Sequence, residues 1–154
     1  MSRAVTKRRK NPGRRTIRLQ ARGASLGITP ASLSEVISQV ERGLPFKALQ
    51  KLESHSGMPV SMIASMIGIP ERTLARRRTA GKLTSGESER LLRISTVFEK
   101  AVELFEGDVA SAVKWLTTSL RALDHNPPLT YARTELGARE VENLIGRLEH
   151  GVFS

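Results

Sequence analysis

Apolar residues recur every three or four positions through most of the chain after residue 28. This spacing places them on one face of an α-helix. The two clearest stripes are Leu91, Ile94, Phe98, Ala101, Val102 and Phe105, and then Val141, Leu144, Ile145 and Leu148. Because no segment alternates as a half-buried strand does, the pattern predicts an all-α fold, a helical bundle.

Capping residues and glycines divide this bundle into five or more helices. The patterns Ser-x-x-Glu at residues 32–35 and Thr-x-x-Glu at residues 84–87 are typical of capping boxes, in which two side chains satisfy free amides at a helix start. Asp108 is expected to cap a further helix, and Pro30 to lie in a first helical turn. The last helix is expected to open at Gly137 with Glu140 and to end at Gly151.

The stretch Val60–Arg78 has the pattern of a helix-turn-helix. Two helices that cross closely need a small residue at their contact and a glycine where the chain turns. Ala64 and Gly68 supply these at a spacing of four residues, and Leu74 is expected to pack inward from the second helix. That helix begins at Glu71, directly after a proline.

The second helix is rich in arginine, whose guanidinium fork matches guanine edges and phosphates in a major groove. DNA binding is therefore the leading hypothesis for this half of the chain. The residues expected to contact DNA are Arg72, Thr73, Arg76, Arg77, Arg78 and Lys82. The alternative is an exposed helix without a ligand, since arginine is also a good helix former.

Charge is divided unevenly along the chain. Residues 1–86 hold 17 Lys and Arg against four acids, whereas residues 87–154 hold eight against 11. Such a split indicates one part that faces phosphate and another that faces protein. We predict a flexible basic arm at 1–28, either a phosphate contact or a solubilising tail, followed by a helix-turn-helix region at 29–86 with an N-terminal helix that dimerises, and a partner-binding helical domain at 87–154.

The sequence offers no catalytic constellation and no cofactor site. It has no cysteine, and its three histidines, His55, His125 and His150, lack metal-ligand spacing, so we expect neither a metal nor an enzyme. Glu99 and Glu103 share a helix face that is expected to be solvated. Trp115 is expected in the core. No apolar run approaches the roughly 20 residues of a membrane span, and the basic N-terminus lacks the apolar stretch of a secretory signal.

Two stretches resemble one known family. Residues 136–153, together with 97–101 and 112–116, are similar to the toxin-binding domain of Xre/MbcA/ParS antitoxins. Residues 72–78 and 81–84 resemble the central Xre/Cro-like helix-turn-helix of the same family. The motifs occur in the family's order, and the resemblance covers roughly residues 44–154.

The resemblance implies a cytoplasmic bacterial antitoxin from a RES–Xre type II toxin–antitoxin pair. The implied partners are a cognate RES-domain toxin that acts on NAD and is related in fold to ADP-ribosyltransferases, promoter DNA, and a second copy or a hetero-oligomer with the toxin. The antitoxin would bind near the toxin's active site and repress its own operon. The expected toxin contacts are Arg147, Glu149, His150, Gly151, Val152, Phe153 and Ser154.

Physical reasoning gives two interpretations of the same segment. An apolar Val-Phe pair beside charged and polar residues is either an anchor with a polar rim or a terminal segment that frays without a partner. A different reading stays open. The C-terminal helices would then serve only for dimerisation, and the chain would be a stand-alone transcriptional regulator.

Overall fold

The computed structural model describes residues 22–151, which form α-helices joined by short turns and contain no sheet strand. Two 3₁₀ turns lie at Ala24–Leu26 and Arg121–Leu123. The helices are, in chain order, α1 Leu33–Arg42, α2 Lys47–Ser56, α3 Val60–Met66, α4 Glu71–Ala80, α5 Ser85–Leu104, α6 Val109–Leu116, α7 Pro128–Tyr131 and α8 Glu135–Glu149. The all-α prediction is confirmed.

The predicted N-caps form as the side-chain chemistry requires. Ser32 Oγ accepts the amide of Glu35 at 3.2 Å, but the Glu35 carboxylate accepts the amide of Ala31 and not that of Ser32, so the capping box predicted here is incomplete. The side chain of Asp108 caps α6. At the start of α5, Thr84 Oγ1 accepts the amide of Glu87, whose carboxylate in turn accepts the amide of Thr84 at 2.9 Å. Each contact satisfies an amide that the helix itself leaves without a partner.

Two predicted helix starts are wrong. Pro30 lies ahead of α1, which begins at Leu33. The last helix begins at Glu135, because Thr134 is its N-cap and accepts the amide of Gly137 at 3.0 Å. Gly137 has a different role, since a Cβ at this position would collide with the carbonyl oxygen of Tyr131. The glycine therefore permits the close approach of α7 and α8.

The predicted arm is too long at its C-terminal end. Residues 1–21 lie outside the described range, but Ala24–Leu26 forms an ordered turn, and Leu26 and Ile28 are buried in the core. A three-residue turn is too short to leave a periodic pattern in the sequence.

Helix α5 is the centre of the bundle and packs against α1, α6 and α8. Leu91, Ile94 and Phe98 of its predicted stripe are buried. Lys100 of α5 forms an ion pair with Glu142 of α8 at 2.9 Å. One continuous core therefore joins the two halves of the described chain.

The end of the α5 stripe is less deeply packed than its middle. Phe105 and Trp115 are only partly buried, and their rings lie 6.4 Å apart against the rim of the core. Trp115, which the sequence placed in the core, therefore lies at the edge of the core.

Glu99 departs from the expected solvated face. It is only 7% exposed, and its carboxylate accepts hydrogen bonds from the amide of Gly23 at 2.8 Å and from Ser25 Oγ at 3.0 Å. Burial raises the pKa of Glu99 to about 7, although the bonds from Ser25 and Gly23 act in the opposite direction. This carboxyl group ties the start of the described chain to the central helix.

We expect Glu99 to make the free energy of unfolding fall as pH rises from about 4.5 to about 7. In that window the unfolded chain has released the proton that the folded chain keeps, so deprotonation favours unfolding. The fall is on the order of 3 kcal/mol at most. Urea melts at pH 5 and pH 8 measure it. Glu99→Gln should flatten the dependence, and an equal pH dependence in both proteins would exclude this role.

Candidate nucleic-acid and partner interfaces

Helices α3 and α4 meet as the sequence predicts for a helix-turn-helix. Gly68 adopts a left-handed φ of 74° at the turn, and Ala64 is buried where the helices touch. The amide of Ile69 donates to the carbonyl of Ala64 at 2.9 Å, which closes the turn. Leu74 packs inward from α4. The helix-turn-helix prediction is confirmed at the level of its backbone.

The outer face of α4 comprises Arg72, Arg76 and Thr79, all exposed. At about 100° per residue, these three positions lie opposite the buried Leu74. Neither arginine forms an ion pair with another described residue. The sequence analysis missed Thr79, although the same helical period would have placed it here. The outer face thus presents two guanidinium groups and a hydroxyl to solvent.

Thr73 and Arg77 lie on a flank of α4 and are only partly exposed. Arg77 is about 60° from Leu74 around the helix. Its Nε donates to Glu87 Oε1 at 2.7 Å and its Nη2 to Glu87 Oε2 at 3.2 Å. This hydrogen bond raises the pKa of Arg77. Burial raises the pKa of Glu87, but Arg77 and the amide of Thr84 outweigh it and lower that pKa overall.

Arg78 and Lys82 lie at the C-terminal end of α4 and are exposed. The guanidinium carbon of Arg78 lies 5.5 Å from the centre of the buried Phe46 ring, a cation–π distance. The amide of Phe46 donates to the carbonyl of Gly81 at 2.9 Å, which holds this end of α4 against the start of α2. The contacts of Phe46 therefore fix the position of the C-terminal end of α4, which carries Arg78 and Lys82.

The C-terminal part of α8 divides into a buried and an exposed face. Val141, Leu144 and Ile145 are buried, and Leu148 packs against the core. The apolar stripe thus completes the bundle. The predicted contact residues Arg147, Glu149, His150 and Gly151 are exposed, whereas Val152, Phe153 and Ser154 lie outside the described residues.

The described part of the chain shows neither a candidate metal site nor a candidate membrane span. Residues 22–151 contain no group of three or more acidic or histidine side chains arranged to hold a metal ion. No helix in this range combines the length and apolar character needed to cross a membrane.

Comparison with known proteins assigns both halves of the chain. Residues 35–95 match the Antitoxin Xre-like helix-turn-helix domain, and residues 100–151 match the Antitoxin Xre/MbcA/ParS C-terminal toxin-binding domain. A protein named Antitoxin Xre from Yersinia enterocolitica serotype O:8 / biotype 1B is 42% identical over 127 residues, which covers 81% of this chain and 86% of that protein. The chain belongs to the Xre antitoxin family.

A second Antitoxin Xre, from Photorhabdus laumondii subsp. laumondii, is 35% identical over 131 residues, covering 84% of this chain and 88% of that protein. The two matched domains of the antitoxin meet within α5, because one ends at residue 95 and the other begins at residue 100. The boundary predicted from the sequence, between residues 86 and 87, lies in the first turn of the same helix. Glu87 in the first turn of α5 contacts the helix-turn-helix, and α5 also packs against α6 and α8.

Proposed function

We propose that this antitoxin neutralises a cognate RES-domain toxin by direct binding at or near the toxin's active site, and that it represses its own operon. The toxin would be an NAD-degrading enzyme related in fold to ADP-ribosyltransferases. The observation that carries the proposal is the pairing, in one chain, of a solvent-facing arginine helix with a domain of the toxin-binding family. We propose the bacterial cytoplasm as its location, because the proposed promoter DNA lies there.

The DNA half of the proposal rests on the outer face of α4. Arg72 and Arg76 are one helical turn apart, about 6 Å along the axis, on the side of α4 opposite the core. Guanidinium groups at this spacing reach neighbouring base pairs when the helix lies in the major groove. Arg78 and Lys82 extend the positive surface towards the phosphates.

The toxin half rests on the end of α8. Arg147, Glu149 and His150 are exposed and form a polar border that leads to Val152 and Phe153 in the sequence. An aromatic anchor surrounded by polar groups is typical of the residues that carry most of a binding energy. We propose that Arg147 pairs with a carboxylate of the toxin.

A homodimer is supported by an exposed apolar pair on α1. Leu33 is 65% exposed and Ile37 is 50% exposed, one turn apart on the same helix. We expect Ile37→Glu to convert a dimer into a monomer, because the two-fold symmetry would bury two unpaired carboxylates in an apolar interface. Sedimentation of the wild type and the variant checks this. A dimer that survives the change would place the interface elsewhere.

The basic residues ahead of Arg22 are proposed to contact phosphates without base preference. Deleting residues 1–21 keeps the docked turn at Ala24–Leu26 and removes eight of the basic residues of the arm. We expect a shallower dependence of DNA affinity on salt, since each phosphate contact contributes about 0.9 to the slope. An unchanged slope of log affinity against log salt would assign the arm a solubilising role only.

The enzyme assay of the toxin tests neutralisation most simply. NAD is incubated with the purified RES-domain protein encoded beside the antitoxin, with and without an equal amount of antitoxin. The proposal predicts that NAD consumption stops at a stoichiometric ratio. Continued consumption in the presence of folded, promoter-binding antitoxin would contradict it.

A further inference from the structure

The first two turns of α5 hold both helices of the helix-turn-helix. Glu87 receives two hydrogen bonds from Arg77 of α4, and its side chain is only 8% exposed. One turn later, Arg90 Nε donates to the carbonyl oxygen of Ile67, the C-cap of α3, at 2.7 Å. Two side chains of one helix thus contact the end of α3 and the flank of α4.

We infer that Arg77 and Glu87 are positioning residues that set the orientation of α4 on DNA, and that Arg77 itself does not read bases. This inference rests on the proposed DNA binding and differs from the expectation, drawn from the sequence, that Arg77 contacts DNA. The donors of Arg77 that point to Glu87 are already used, and the side chain lies about 60° from Leu74 on the core side of the helix. Base contacts then fall to Arg72 and Arg76.

The geometry of the Arg77–Glu87 pair is suited to fixing the orientation of α4. An arginine that donates from Nε and from a terminal nitrogen to one carboxylate fixes both the distance and the rotation of the group it is attached to. Glu87 is itself fixed, because its Oε1 also accepts the amide of Thr84 in the capping box. A turn of α4 about its axis would break one of the two bonds, so the pair resists the motion that would misalign the outer face.

The direction in which one substitution changes DNA affinity distinguishes a positioning role from a purely electrostatic effect. Glu87→Gln removes a negative charge near the DNA surface, so general electrostatics predicts tighter binding. The positioning role predicts weaker binding to the promoter, because the arginine loses its ionised acceptor. Glutamine still accepts the amide of Thr84, which preserves the cap.

The experiment measures fluorescence anisotropy of full-length protein with two duplexes of equal length, the promoter region of its own operon and a scrambled sequence, over a salt series. We expect Arg77→Ala and Glu87→Gln each to lower promoter affinity about tenfold, the usual scale for a hydrogen bond to a charged group. The double variant should be no worse than either single variant. With Glu87→Gln, affinity for the scrambled duplex should not fall, and the salt slope should not change.

Thr84→Ala is the matched control, because it breaks the capping box and leaves the ion pair in place. It should lower the melting temperature without changing the ratio of promoter to scrambled affinity. Arg77→Lys is a second probe that retains the charge but not the two-point contact. Positioning predicts a reduced affinity ratio for this variant, whereas a phosphate contact predicts a ratio like that of the wild type.

The inference is overturned if Glu87→Gln binds the promoter as tightly as the wild type or more tightly. It is also overturned if Arg77→Ala weakens both duplexes equally and lowers the salt slope by about one, as expected for a lost phosphate contact. Failure of the proposed DNA binding would look different, since the wild type would then bind both duplexes alike.

Discussion

An antitoxin that ends after Leu148 is expected to lose neutralisation completely while it keeps its fold and its promoter binding. The truncation removes residues 149–154, which include the exposed Glu149 and His150 and the apolar Val152 and Phe153. It retains Leu148, which packs against the core. Because binding energy concentrates in a few anchoring side chains, loss of this anchor should release the toxin. Cell survival and cellular NAD during co-expression with the toxin measure the effect.

A point variant and a control variant test whether the toxin contact lies at the C-terminal end of α8. Arg147→Ala in the full-length chain should weaken protection, whereas Asn143→Ala, exposed on the same helix, should not. Circular dichroism and promoter binding confirm that each protein is folded. Full protection by the folded truncation would show that the toxin contact lies elsewhere on the antitoxin. Trp115 and the loop at residues 124–128 would then be the next candidates.

Replacing Arg72 and Arg76 together by alanine should lower promoter affinity by about a hundredfold or more. Each bidentate contact to guanine contributes about 1–3 kcal/mol of base discrimination, and these residues share the outer face of α4. Since neither forms an ion pair with another described residue, the melting temperature should change little.

Arg139→Ala is the matched control for the double variant, because it removes an exposed arginine from α8, away from the helix-turn-helix. It should leave promoter affinity near that of the wild type. Unchanged affinity of the double variant would remove α4 from the role of recognition helix.

The features that the sequence predicted correctly are local ones. The capping box of Thr84 and Glu87 depends on residues three apart, and the turn at Gly68 depends on one left-handed glycine next to a small contact residue. Amphipathic spacing alone then identifies the helices and their inward faces, including Leu74. Such signals depend on neighbouring residues only, so they can be recognised without knowledge of the tertiary packing.

The features that it missed depend on contacts between different elements of the fold. The true start of α8 was hidden because Gly137 is needed for contact with Tyr131 of another helix. Glu99 was assigned to a solvated face because its partners, Gly23 and Ser25, lie more than 70 residues away.

The bond of Arg77 to Glu87 was not predicted, because Glu87 belongs to the next helix and helical periodicity was not applied to the flanks of α4. The outer face could have been predicted from the angle to Leu74, which would have included Thr79. The ion pair required the packing of α4 against α5.

The decisive measurement is co-expression of the tagged antitoxin with the proposed RES-domain toxin. The complex is purified through the tag, its mass is measured, and promoter DNA is then added. We expect the toxin to remain bound at a fixed stoichiometry and the antitoxin in this complex still to bind the promoter. A free antitoxin dimer that binds the promoter while the toxin is washed away would exclude neutralisation by direct binding and identify a stand-alone regulator.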